Sequence, residues 1–197
     1  MEVYVTNATP NPMHAISAAA GMCYGKTEYS AKRVERCLKN GHTSVAEHVS
    51  ATFRIEGISR SCLAQLTRHR MASFSVMSQR YCEIEGDDWY VIPPSVIEAG
   101  EEIGFCAEAE KAAKAYRRLL AKGVKKEDAR FLLPEATKTN LVMTINVRSL
   151  MNFLNLRLGK SAQWEIRELA NAMVQAIKDR DGEWFELMEL IEKVRND

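Results

Sequence analysis

The 197-residue sequence has no long apolar run, no paired-cysteine spacing and no surplus of either charge. A helix that crosses a membrane needs about 20 largely apolar residues, and no stretch approaches that length. The opening MEVYVTNATP has no basic end followed by an apolar run, so it does not read as a signal peptide. The five cysteines (Cys23, Cys37, Cys62, Cys82 and Cys106) are odd in number and show no CxxC, which excludes a disulfide framework and a zinc ribbon. A soluble protein of the reducing cytoplasm is expected, with no membrane partner. Lys and Arg total 27 against 26 Asp and Glu, a net charge of +1. A generic nucleic-acid binder is more basic, so basic residues matter here only where they cluster.

Further chemistries are absent. The ten glycines form neither GxGxxG nor a P-loop, so there is no Rossmann or Walker phosphate cradle. The four histidines (His14, His42, His48 and His69) lack zinc-ligand spacing and HExxH, and no metal is expected. His42 and His48 read more readily as capping or core residues than as ligands. No serine sits in GxSxG. No cysteine has a histidine beside it in a nucleophile motif; Cys82 lies close to the arginines, with an ordinary core cysteine as the alternative reading.

What is present is a dense set of donors in Thr67–Tyr81: three arginines, a histidine, three serines and a glutamine within fifteen residues, with Phe74, Val76, Met77 and Tyr81 among them. Guanidinium binds phosphate or an enolate-like oxygen through paired hydrogen bonds. The stretch reads as the wall of a pocket for something anionic and flat; a solvated basic patch is the alternative.

Periodicity places this stretch in a single domain, residues 1–197. Short strands are predicted at Met1–Val5 and Trp89–Ile92. Val49, Ala51, Phe53 and Ile55 alternate with polar residues as in a half-buried strand, and Thr139–Val147, largely apolar and rich in β-formers, reads as a buried one. Helices are predicted at Pro12–Ala20, Tyr29–Lys39, Ser59–Thr67, Lys125–Leu133 and Ser149–Leu158. Another runs unbroken over Ser95–Ala121, and the clearest is Ala162–Lys178. Asp181 caps a last helix. Ser44 and Glu47 have the spacing of a capping box at the start of a short turn. The element order implies an α+β fold, with helices packed on a small, mostly antiparallel sheet.

Two further segments carry polar groups in suggestive places. Arg130 precedes an apolar run and Pro134; it is either a site residue or an arginine that lays its stem over the core. In Asn146–Arg157, Arg148, Asn152 and Asn155 share one helix face, while Arg157 lies about 180° from Arg148. One helix so built would not aim both arginines into one pocket of one monomer; it would serve two pockets or one shared between chains. A polar outer stripe is the alternative. In Ala162–Arg167, a structural role is favoured.

Taken together these blocks resemble the flavin-dependent thymidylate synthases, the ThyX family. Its signature is Arg-His-Arg, seven residues, then Ser, which is Arg68-His69-Arg70 through Ser78 here. GHTSVAEH, the signature through Gln79-Arg80-Tyr81, Arg130 to Pro134, and NVRSLMNFLNLR followed by AQWEIR all fall in the family's order, spanning residues 41 to 167.

The resemblance implies a ThyX-type fold, a homotetramer with active sites shared between subunits, and conversion of dUMP to dTMP. Methylenetetrahydrofolate would give the one-carbon unit and leave as tetrahydrofolate, reduced FAD would give the hydride, and NADPH would restore it. It implies no enzyme nucleophile, in keeping with the missing nucleophile motifs. Carried over by position, Ser44, Arg68, His69, Arg70, Val76, Asn146, Arg148 and Asn152 would meet FAD. Gln65, Arg68, Ser78, Gln79, Arg80 and Arg157 would hold dUMP, with Arg130 from another chain. Arg157 would be the catalytic group, promoting ionisation at uracil N3, and His42 would lie near the flavin face, where folate stacks. The family often has Asn-Glu or Ser-Gln where this chain has Ser75-Val76. Valine can neither donate nor accept through its side chain, so any polar contact at Val76 is through its backbone. A family member that binds flavin and nucleotide without turnover, and a nucleic-acid-binding module using Arg68, Arg70 and Arg80, are the competing expectations.

Overall fold

Alternating apolar and polar side chains build the sheet in the computed structural model, which describes residues 1–196. β1 (Glu2–Ala8), β2 (Ser50–Ser59), β3 (Ala72–Val76) and β4 (Lys138–Asn146) form four strands in the order β1-β2-β4-β3. Bonds join residue 49 to 147, 52 to 144 and 57 to 140, so β2 and β4 run antiparallel. The helices are α1 (Pro12–Met22), α2 (Ala31–Lys39), α3 (Arg60–Leu66), α4 (Pro94–Glu98), α5 (Glu102–Ala121), α6 (Lys126–Ala129), α7 (Val147–Arg157), α8 (Trp164–Lys178) and α9 (Gly182–Asn196). Short 3-10 turns lie at Thr43–His48 and Arg130–Leu132. Among the described residues, no helix is long and apolar enough to cross a membrane. The α+β arrangement of helices with a small antiparallel sheet is as expected.

The chain divides into two compact units. Unit one is Met1–Ile55, Leu66–Ser75 and Val142–Asp197; unit two is Glu56–Gln65 and Val76–Leu141. In unit one, α8 packs on α7, α9 and β1. It turns Ile166, Leu169, Ala170, Met173 and Ile177 inward because they recur on one helical face. Gln163 caps α8 by accepting from the backbone N–H groups of Glu165 and Ile166, which is the structural role expected of that segment. Asp181 caps α9 through the N–H of Trp184, whose buried indole donates to the Thr9 carbonyl at 3.1 Å. In unit two, Trp89, Ala109 and Ala113 form a small core flanked by Ile84, Tyr90 and Leu133.

Several sequence expectations are corrected. The predicted helix Ser95–Ala121 is two helices. Gly100 takes φ +71°, a left-handed conformation that ends α4, and the Glu101 N–H reaches back to the Val96 carbonyl in a Schellman-type stop. Trp89–Ile92 is no strand: a single bridge pairs Tyr90 with Thr137 before Pro93-Pro94 removes the next donors. The stretch 139–147 is buried on one face only, with Val142 exposed. Ser44 forms no capping box. The turn begins a residue earlier, at Thr43, with His42 at the cap position making no side-chain capping bond. His42 and His48 are exposed, and so is Cys82, so none of the three is a core residue. β3 was not legible as a strand; its five residues alternate half-buried Ala72, Phe74 and Val76 with exposed Ser73 and Ser75.

Candidate active site

Two chain segments meet in unit one. After α3 the backbone closes a turn, with the His69 N–H donating to the Leu66 carbonyl at 3.1 Å, and Arg68, His69, Arg70 and Met71 lead into β3. From the other direction, Asn146 caps α7 by accepting the Ser149 N–H at 2.8 Å. Between them lies a cavity of about 750 Å³ lined by Glu47, Arg68, His69, Arg70, Met71, Asn146, Arg148, Ser149, Asn152, Leu156 and Arg157. That size is typical of a small-molecule or cofactor site.

Arg148 and Arg157 thus line one cavity of one chain, which overturns the sequence argument from their opposite angular positions. Ser149, Asn152 and Leu156 form the stripe of α7 that faces the cavity, spaced by three and four residues. Arg148 enters beside one edge of that stripe and Arg157 beside the other, at opposite ends of a helix about 16 Å long. Their long stems make up the remaining angle. Asn155 is exposed and takes no part in the lining.

The electrostatics are lopsided. Four arginines line the cavity against one carboxylate, Glu47, which is ion-paired with Arg148. Neither Arg68 nor Arg70 is ion-paired among the described residues. His69 is half-buried and meets the Phe153 ring edge-on, centroids 4.9 Å apart at 81°. Its Nε2 accepts from Arg157 Nε at 3.0 Å. Burial, with Arg157 and then Arg68 beside it, holds the His69 imidazole below the ordinary histidine range. Such a site offers several guanidinium groups for an extended anion, two amide side chains, and apolar surface from Met71 and Leu156 for a flat ring.

Of the other singled-out residues, Ser44 and His42 are exposed in unit one and do not line this cavity. Gln65, Val76, Ser78, Gln79, Arg80 and Arg130 belong to unit two. There, Gln79 and Arg130 line a cavity of about 300 Å³ with Arg60, Phe131, Leu133, Pro134 and Glu135. Arg80 Nε donates to Glu127 Oε2 at 2.8 Å, and Arg130 Nε donates to the Glu127 carbonyl at 3.1 Å. The Ser78 hydroxyl accepts from the Arg80 N–H at 3.2 Å.

Sequence reasoning missed Glu47, Met71, Ser149 and Leu156 in the first cavity and Arg60 in the second. Glu47 lay inside a quoted block and Met71 beside the Arg-His-Arg triplet, so position was the available signal. Nothing in the sequence singles out Arg60. Its Nη2 donates to the Met77 carbonyl at 2.9 Å, its Nε is buried without a hydrogen-bond partner among the described residues, and burial with Arg130 nearby pushes its guanidinium down.

Comparison with known proteins adds a separate line. A family model described as "Thymidylate synthase complementing protein" matches residues 4–181. The flavin-dependent thymidylate synthase of Geobacter sulfurreducens is 41% identical over 191 residues, covering 90% of this chain and 82% of that protein. That of Pyrococcus furiosus is 38% identical over 197 residues, covering 92% and 80%. Among solved structures, Thymidylate Synthase X from Helicobacter pylori with FAD and dUMP matches with a TM-score of 0.80 at 30% identity, over 100% of each chain. The UMP/dUMP methylase PolB from Streptomyces cacaoi, bound with 5-Br dUMP, matches with a TM-score of 0.82 at 25% identity, over 98% of this chain and 94% of that one.

Proposed function

This chain belongs to the flavin-dependent thymidylate synthase family, and from that premise we propose that it converts dUMP to dTMP with methylenetetrahydrofolate as one-carbon donor and NADPH as reductant, releasing tetrahydrofolate. The observation that carries this reading is the cavity of unit one, which gathers Arg68, His69 and Arg70 with Asn146, Arg148, Asn152 and Arg157 from a block some eighty residues away (146 against 68).

The donor set fits FAD. Arg68, Arg70 and Arg148 supply fixed positive charge for a pyrophosphate, and Asn152 supplies an amide. Asn146 has its side-chain oxygen engaged at the α7 cap, so its NH₂ group is what it offers a ligand. His69 completes the wall. Ser44, and Val76 through its backbone, are assigned to the same cofactor. Held there and reduced by NADPH, the flavin would supply the hydride. Gln65, Ser78, Gln79 and Arg80, together with Arg68, are assigned to dUMP, with Arg130 contributed by another chain of a homotetramer. His42 is assigned to the flavin face where folate stacks. Residues 1–197 then act as one catalytic domain of a cytoplasmic enzyme.

Arg157 carries the reactive role. A guanidinium donates hydrogen bonds and stays charged throughout, so it stabilises negative charge growing on the uracil as N3 gives up its proton to solvent water. That raises electron density at C5, the carbon that takes up the one-carbon unit. No enzyme thiol or hydroxyl is needed as nucleophile, and Ser78 is a binding residue.

Purified protein should show flavin absorbance after addition of FAD. With methylenetetrahydrofolate and NADPH it should release tritium from dUMP labelled at C5. A protein that neither takes up FAD nor releases tritium overturns the proposal.

A further inference from the structure

We propose that His69, besides lining the cofactor cavity, is a positioning residue for Arg157: its Nε2 lone pair holds the guanidinium by Nε, which requires a neutral imidazole protonated on Nδ1. The inference rests on the assignment of Arg157 to the uracil.

An arginine side chain has only donors, so in the 3.0 Å contact the histidine must accept. Arginine cannot change its protonation state to suit the histidine, so the histidine must suit the arginine. This settles which nitrogen carries the proton: Nε2 is bare and the single N–H is on Nδ1.

The histidine is itself held. Its backbone N–H is bonded to the Leu66 carbonyl, and the Phe153 ring packs edge-on against its imidazole. Restraint therefore passes from α3 and α7 to His69 and on to Arg157. A free arginine side chain samples many rotamers, and holding it in one removes that freedom before substrate arrives. Fixing Nε fixes the guanidinium plane.

Protonation would undo this. An N–H would then face an N–H, with two cations 3.0 Å apart. The charges acting on His69 are those of Arg157 and Arg68, both positive. The cavity's other charged groups are Arg70, Arg148 and Glu47, and Glu47 is paired with Arg148. Burial and the two cations together keep the imidazole neutral around neutrality.

Two measurements on the flavin-loaded, full-length protein test the link. The first is the ¹⁵N resonances of the His69 ring near neutral pH. Nε2 should be unprotonated and Nδ1 protonated, and the Nε2 resonance should move in Arg157→Ala. A proton on Nε2, or a resonance unmoved in Arg157→Ala, overturns the proposal. The second is the pH profile of kcat at saturating FAD and dUMP. His69→Gln places an amide that does not titrate near the Nε2 position, whereas His69→Leu removes the acceptor.

The acid-side fall in wild-type kcat should vanish in His69→Gln. His69→Leu should turn over at least about tenfold more slowly than His69→Gln, with KM for dUMP within about threefold. An acid limb that persists in His69→Gln, or equal rates for the two variants, overturns the link while wild-type turnover upholds the proposed reaction. If the wild type converts no dUMP, the reaction fails and the nitrogen resonances still decide the link.

Discussion

Unit one draws Arg68, Arg70, Arg148 and Arg157 onto one cavity against a single carboxylate, Glu47. In unit two, Arg80, Lys126 and Lys138 each have an acid of their own, in Glu127, Glu83 and Asp88. Pairs of the second kind are exposed or half-exposed and contribute up to about 1 kcal/mol each. They hold loops in register and leave little net field. A cluster of the first kind repels itself and does not pay for its own assembly, so its use lies in what it attracts. Arg130 stands between the two kinds, because Glu127 gives its carboxylate to Arg80 and only its main-chain carbonyl to Arg130.

The contrast can be broken most sharply at Arg157. Arg157→Ala should lower kcat a hundredfold to a thousandfold, or about 2.7–4 kcal/mol, as for other lost contacts to transition-state charge. Circular dichroism should be unchanged. Near-normal turnover would remove Arg157 from the chemistry. Next comes Arg148→Ala, which should weaken FAD binding by about 1.5–3 kcal/mol, the scale of a hydrogen bond to a charged group. Titration of apoprotein with FAD measures it, and an unchanged affinity would separate this wall from the cofactor.

A smaller effect concerns pH and stability. Burial and the neighbouring Arg157 and Arg68 depress the folded-state value of His69, so below the ordinary value of 6.5 the unfolded chain binds the more protons. Stability is therefore full above that value and falls as pH drops from it toward the depressed one. Urea midpoints at neutral and mildly acid pH should diverge more for wild type than for His69→Gln; identical divergence would dismiss the histidine as the source. Smallest is Glu127→Gln, which leaves the carbonyl to Arg130 and should change stability by no more than about 1 kcal/mol. A modest rise in KM for dUMP with FAD affinity intact would sharpen the division between the units. A loss of FAD binding would blur it.

The sequence carried the strands and helices wherever one face was apolar over several turns. Ile166, Leu169, Met173 and Ile177 announced α8, and Phe53 and Ile55 announced β2, because burial follows periodicity. It misread places decided by a single residue or by partners distant in the chain. Gly100 looked like one residue in a helical run until its positive φ stopped α4. β3 is five residues long, and its serines read as ligands before they read as the outer face of a strand. At the site, the Arg-His-Arg triplet and the polar residues of α7 were legible as chemistry. Their convergence was not, since angular position on a helix ignores how far an arginine stem can reach. Glu47 acquires meaning only from Arg148, 101 residues later.

That same pairing bears on how the protein is made. The walls of the unit-one cavity lie at residues 47 and 68–71 on one side and 146–157 on the other, and the contacts that join them, Glu47 with Arg148 and His69 with Arg157, span 101 and 88 residues. A ribosome lays down one wall long before the other exists. During that interval the early arginines are exposed on a nascent chain without their counterpart, and contacts so far apart in sequence close late. The cavity is therefore among the last features to form during synthesis, and a chain released before α7 emerges would carry the signature triplet and no site.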